Sequence, residues 1–343
     1  MAIPKSIPFN KLIEALLDES TPFSPRYLSR LSDLEPVDLA LLAKTWPKVS
    51  LRRREALLED LEEVHLADDL LNFEEVARMA LKDSAPSVRR QAISILREYE
   101  LIDLLPTFVH MSENDPDAEV RAASAATLAT YIYMGEVEDI SPRKLLRVEE
   151  CLLGLLNGSD TPLVRRRALE ALGFSSRPEV VEQIEKAYTS PDIDWLVSAL
   201  FAMGRSANTR WSAQVLKMLD HKRPSVRAEA ASATGELEIK AAVPKLLELL
   251  EDVDMDVRMA SIWAVSQVGG EGVRAALENM LETTDTDEEA NQIENALENL
   301  DFTEEMRDLA LLEIAEDGVG QEEPSEIDYD DTAEDLISGE DED

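Results

Sequence analysis

The chain is poor in the residues that most catalytic sites and several fold classes require. Its 343 residues include one cysteine (Cys151), three histidines and 12 glycines, and aromatic residues make up 5%. A single cysteine excludes an internal disulfide framework and a four-cysteine zinc site. None of the three histidines (His65, His110, His221) is followed by glutamate, and three are too few for a zinc centre built without carboxylates. Glycine falls well below its usual share of about 7%, which argues against an all-β sandwich with glycine-rich turns. No uncharged apolar run reaches the roughly 18 residues of a membrane span. Asp18 and Glu19 stand where a secretory signal would have its apolar core. The expectation is a cytoplasmic protein that does not enter a membrane.

Basic residues are also scarce. Lys plus Arg total 34 against 72 Asp plus Glu, a net charge of −38. Nucleic-acid binding needs cations that displace counterions from phosphate, so no nucleic-acid partner is expected. The deficit is unevenly placed. Residues 275–343 hold 27 acidic side chains and one basic one, Arg307, whereas the first 274 residues are only net −12. The exclusion of nucleic acid is therefore softer for the body of the chain than the total suggests. A basic protein partner would gain electrostatic steering.

Motifs for chemistry are missing as well. There is no G-x-S-x-G, Walker-type or dinucleotide-type glycine motif. The acidic stretch 252–256 fails as a calcium loop, because Val257 and Trp263 stand where glycine and glutamate are needed. Cys151 lies in the apolar run CLLGLL and reads as core. No catalytic residue, metal site or cofactor is expected, and the chain is read as a non-enzyme.

What the sequence does contain is a repeat. Helix starts of the form V-R-x-x-A/S recur at Val88-Arg89, Val120-Arg121, Val164-Arg165, Val226-Arg227 and Val257-Arg258, with Trp195-Leu196 filling the same slot. The anchors lie 32, 44, 31, 31 and 31 residues apart, and Gly173, Gly204 and Gly235 each follow an anchor by nine. Such a fixed period marks a stack of supersecondary units. Acidic turns (Asp83, Asp115, Asp160, Asp220, Asp252) precede most anchors, with prolines close by. Proline suits a first helical turn and breaks an interior, so each joint separates a helix A from a helix B. Asp or its neighbour can cap the helix that follows. Residues 51–64 read as an early helix B, and 131–144 as an insertion between repeats.

The stretch VRAEAASATGELEIKAAVPKLLELLEDVDMD (226–256) resembles a repeat of the HEAT superfamily, in the short bacterial form found in phycobilisome-lyase-type proteins. The resemblance covers about residues 50–300. It implies an all-α, right-handed α-α solenoid of about seven or eight repeats. The expected layout is an N-terminal helical cap (1–45), the solenoid (46–301), a capping helix (302–316) opened by a capping box at Asp301–Glu304, and a disordered acidic tail (317–343). HEAT-fold di-iron hydroxylases need His-Glu pairs that are absent here. The family suggests two roles: a protein-binding scaffold, and as the alternative a bilin-lyase-like chromophore-handling or assembly factor.

Counting the anchor as position 0, positions 0, 4, 5 and 8 are mostly apolar or small and share one helical face. Arg at position 1 recurs (Arg89, Arg121, Arg165, Arg227, Arg258). It is read as a structural ladder with the turn aspartates of its own or a neighbouring repeat. The Trp195-Leu196 junction lacks that Arg and is expected to be held by packing. The resemblance implies that helix B lines the concave surface, which directs positions 2, 6 and 10 into a groove. Val197, Phe201 and Arg205, then Met259 and Trp263, with Arg166 and Phe174 beside them, are the candidate partner-binding residues. Apolar residues Ile327, Tyr329, Leu336 and Ile337 within the tail form a candidate docking motif.

Overall fold

The computed structural model describes residues 7–318 except residue 69, and every regular element among them is helical. The tail residues Ile327, Tyr329, Leu336 and Ile337 lie outside the described residues. Seventeen α-helices follow one another, several introduced by a short 3₁₀ turn. The opening helices are α1 (Phe9–Leu17), α2 (Pro36–Thr45), α3 (Leu51–Ala67), α4 (Glu74–Ala80) and α5 (Pro86–Arg97). The middle is α6 (Leu105–Asn114), α7 (Ala118–Glu136), α8 (Pro142–Asn157), α9 (Pro162–Leu172), α10 (Pro178–Tyr188) and α11 (Ile193–Arg205). The last helices among the described residues are α12 (Ser212–Met218), α13 (Pro224–Glu236), α14 (Val243–Leu249), α15 (Met255–Val268), α16 (Val273–Thr283) and α17 (Asp287–Gly318).

From α2 onward, even-numbered helices are helix A and odd-numbered ones helix B. From α5 onward each B helix packs on its own A helix, and successive B helices pack on one another from α3 to α17. The A helices touch one another much less. A layer packed more closely than its partner curves the stack toward itself, so helix B lines the concave side. The protein is an α-α solenoid.

Local chemistry explains the joints. Proline opens α2, α5, α8, α9, α10 and α13, where a missing N–H costs no helical hydrogen bond. Asp117, Asp192 and Asp254 cap α7, α11 and α15 by accepting backbone N–H groups, and Thr161 caps α9. Asp117, Thr161 and Asp254 stand beside the ladder aspartates Asp115, Asp160 and Asp252, which pair with arginines. Glu100, Glu138, Ala207 and Glu238, two or three residues past the ends of α5, α7, α11 and α13, adopt positive φ of 48–66°. Left-handed backbone is costly for a side chain, so the tight B-to-A turn is held against local preference by the packing on either side.

The core follows the repeat register. Val164, Ala168, Leu169 and Leu172 on α9, and Val257, Ser261, Ile262 and Val265 on α15, are fully buried. Two expectations about extra segments need correction. The insertion after Val120 is largely helical: α7 runs to Glu136 and α8 starts at Pro142, leaving a five-residue turn. The capping box at Asp301 does not start a separate helix, because α17 runs unbroken from Asp287 to Gly318. Asp301 instead meets Arg274 of α16 at 2.7 Å. Among the described residues no helix is long and apolar enough to cross a membrane.

Candidate functional site

The repeating arginine fixes how one repeat sits on the next. Arg89 reaches Asp115 of the following turn with two parallel hydrogen bonds (2.8 and 2.7 Å) and donates to the carbonyl of Asp83 in its own turn (2.9 Å). Arg121 does the same with Asp160 and the Asp115 carbonyl, and Arg227 with Asp252 and the His221 carbonyl. Each guanidinium thus staples two consecutive A-to-B turns. Arg54 starts the series by pairing with Asp83, whose carboxylate also accepts from Trp46 Nε1 at 2.7 Å. The Arg227 hydrogen bonds hold Asp252 below the usual carboxylate range, and those of Arg121 do so for Asp160.

Three members of the expected ladder depart from it. Arg258 pairs with Glu289 at 2.7 Å, because α17 supplies glutamate where a turn aspartate would stand. Arg165 meets no carboxylate among the described residues; it donates to the Leu156 carbonyl and lies 5.4 Å from the Trp195 ring centre. Asp220 faces a repeat whose position 1 is Leu196, which is apolar, and it takes Lys245 instead at 2.6 Å. A cation over an aromatic face therefore replaces one rung.

The concave side is built on the glycines of position 9. A Cβ at Gly173 would come within 3.0 Å of the Ala202 backbone, at Gly204 within 3.1 Å of Ala233 Cα, and at Gly235 within 3.0 Å of Ala264 Cα. Glycine against a small residue at position 7 of the next repeat lets successive B helices approach closely. The side chain beyond then lies along the glycine: Arg205 on Gly173, Glu236 on Gly204, and the Trp263 ring on Gly235.

The groove residues Phe174, Val197, Phe201, Met259 and Trp263 are all half-buried. Phe174, Val197, Met259 and Trp263 pack onto the core. The ring partner of Phe201 is Arg205, whose guanidinium carbon lies 4.4 Å from the Phe201 ring centre and 4.9 Å from that of Phe174. Exposed Tyr133 meets Phe174 edge-on at 5.5 Å. Arg166 pairs with Asp194 at 3.1 Å. The Phe174 and Phe201 clusters therefore merge through Arg205, while Met259 and Trp263 remain two repeats away, with Ala228 and Ser232 between. A cleft of about 550 Å³ opens beside Phe201, walled by Arg97, Ala126, Thr130, Arg167 and Glu170.

Residues 212–298 match the family model described as HEAT repeats, and residues 104–133 match that of the HEAT repeat. The chain carries HEAT repeats. Solved structures similar to it include YibA of E. coli, 18% identical over 83% of this chain and 99% of that one, with a TM-score of 0.41. The CpcE–CpcF complex of phycocyanin lyase from Nostoc is 16% identical over 87% and 100%, with a TM-score of 0.39. Human deoxyhypusine hydroxylase is 19% identical over 76% and 95%, with a TM-score of 0.33. No curated protein matches the sequence.

Within the HEAT groove sits a group of carboxylates that reading positions 2, 6 and 10 did not single out. Glu170 is buried, accepts from Ser198 Oγ at 2.7 Å and pairs with Arg167. Glu229, at position 3 of α13, is pushed up to about 7 by burial, with Glu170 and Glu236 adding to the shift. Burial raises Glu236 too, and it lowers the Arg205 guanidinium from its ordinary value. The usable signal was the spacing of Glu229 and Glu236, seven residues apart and so on one helical face. Cys151 lies in the core with its thiol pushed up to about 11 by burial, 3.5 Å from Ser112 Oγ. Reactive cysteines are depressed instead.

Proposed function

We propose that the chain is a non-enzymatic cytoplasmic scaffold or adaptor that holds a protein partner in its concave groove. Arg166, Phe174, Val197, Phe201, Arg205, Met259 and Trp263 form the contact surface. The observation that carries this reading is the stack at Phe201. A half-buried aromatic ring lies against a guanidinium that makes no hydrogen bond among the described residues, beside an open cleft. Phenyl and guanidinium groups fixed by their neighbours lose little freedom on docking. Aromatic and arginine side chains in a pocket are the usual energetic centres of an interface.

Phe201→Ala combined with Trp263→Ala is expected to remove most partner capture, while the helical circular-dichroism signal stays within about 5% of the parent, since neither ring is part of the fully buried core. Affinity capture of both proteins from the same lysate checks this. An unchanged set of captured proteins would overturn the groove as the docking surface.

A further inference from the structure

The arginine staples stop for one repeat. In the regular turns the ladder aspartate stands five residues before the anchor (Asp83, Asp115, Asp252). One of its oxygens accepts the backbone N–H two residues on, at 2.8–3.0 Å. The turns before α11 and α13 keep that geometry with other residues. Ser190 Oγ accepts from Asp192 and His221 Nδ1 from Arg223, both at 3.2 Å. Neither side chain offers the two oxygens that a guanidinium fork needs. In the ladder register Arg165 should meet Ser190, and it has the face of Trp195 instead. Position 1 opposite His221 is the buried, apolar Leu196. The repeat formed by α10 and α11 is therefore unstapled on both sides, between the intact rungs Arg121–Asp160 and Arg227–Asp252. Packing thins at the same place: α9 and α11 touch less than any other successive B helices between α7 and α15. Along this edge Arg166 does pair with Asp194, but that carboxylate is 65% exposed, and exposed pairs contribute little.

At the other end of the same helices the contact is tight. A Cβ on Gly173 would lie 3.0 Å from the Ala202 backbone, and one on Gly204 3.1 Å from Ala233 Cα. Buried Ser198 donates to Glu170 at 2.7 Å. Helices held close at their C-terminal ends and unlinked at their N-terminal ends pivot about the closed end. We propose that the α10–α11 repeat is a hinge in the solenoid. Its axis passes by Gly173–Ala202 and Gly204–Ala233, and its open edge is the pair of turns at Ser190 and His221. A cation over an aromatic face suits that edge, because it tolerates sliding that would break two parallel hydrogen bonds. Bending there moves Met259 and Trp263 on α15 relative to Phe174, which follows α9. The hinge stands whether or not the groove holds a partner.

Spin-label distances measured by double electron–electron resonance test this, with Cys151 replaced by alanine so that only introduced thiols are labelled. Ser159→Cys with Lys222→Cys spans the two open junctions, and Ser84→Cys with Ser159→Cys spans two stapled junctions along the same edge. Ser176→Cys with Lys240→Cys spans the open junctions at the pivot edge. All five positions are exposed. The first distribution should be about twice as wide as the other two. Ser190→Asp, Leu196→Arg and His221→Asp together restore both rungs and should narrow it to their width. Ser190→Asp alone gives Arg165 a carboxylate and should narrow it in part, which keeps the test if burying a new arginine prevents folding. Arg121→Ala should widen the stapled pair in turn. Equal widths for all three pairs would overturn the hinge. A pivot-edge pair as wide as the open-edge pair would overturn it too, since the repeat would then be loose at both ends. A width unchanged in a folded variant with restored rungs would overturn the assignment of the hinge to the missing staples.

Discussion

Arg227→Ala is expected to lower stability by about 3 kcal/mol and to split a single unfolding transition into two. Removing one partner of a buried pair costs about 3–5 kcal/mol, because the other charge stays buried alone. The side chains of Arg227 and Asp252 are 14% and 9% exposed, so the lower end applies. Arg227 also supplies the hydrogen bond to the His221 carbonyl, which would lose its partner. In a repeat array each unit contacts only its neighbours, so weakening one junction divides the cooperative unit there. The matching change at the irregular rung, Arg165→Ala, should cost only about 1 kcal/mol, the scale of a partly exposed cation–aromatic contact. Acid acts on the same bond. Asp252 and Asp160 are held below the usual carboxylate range by their arginines. Their contribution is present above the unfolded value, near pH 4, and is lost as pH falls through the depressed folded value. Arg227→Ala should therefore move the acid-unfolding midpoint upward. Urea titrations at pH 7 and an acid titration measure both effects.

Gly235→Ala should cost about 1–3 kcal/mol although alanine is the better helix former. Glycine in a helix interior is ordinarily worse than alanine by roughly 0.5–1 kcal/mol. Here the added methyl would lie 2.5 Å from the Trp263 ring and 3.0 Å from Ala264 Cα. The ring can swing away, but the Cα moves only if α13 and α15 separate, and overpacking of this kind costs about 1–3 kcal/mol. Gly154→Ala is the natural control. Gly154 lies within α8 and nothing stands within 4 Å of its added methyl, so that change should stabilise by a few tenths of a kcal/mol or more. Thermal unfolding of the two variants separates steric conflict from propensity. In Gly235→Ala the displaced Trp263 would also shift its fluorescence toward that of a solvated indole.

Most of the architecture was legible because one physical constraint recurs every 31 or 32 residues. Val at position 0 and small residues at position 7 must be buried wherever a B helix meets its neighbours, so the pattern survives in the letters. The glycines of position 9 were visible as markers, but their purpose was not. It depends on which residue of the next repeat lies opposite, and that is set by helix approach rather than by spacing. The ladder was legible at Arg89, Arg121 and Arg227. It misled at Asp220, because the residue that should answer it, Leu196, sits in the preceding repeat and the anchor shape hides the substitution. The capping box at Asp301 was a local signal overridden by the continuity of α17. Glu229 escaped notice because position 3 was not read as facing inward.

Site-specific photo-crosslinking in cells tests the account most directly. Phe201→p-benzoylphenylalanine places the probe in the concave groove beside Arg205, and Glu182→p-benzoylphenylalanine places it at an exposed position on α10. The groove probe should give discrete intermolecular adducts on irradiation and the α10 probe none. Adducts from the α10 probe with none from the groove probe would show that partners dock on the convex side and that the concave surface is not the working face.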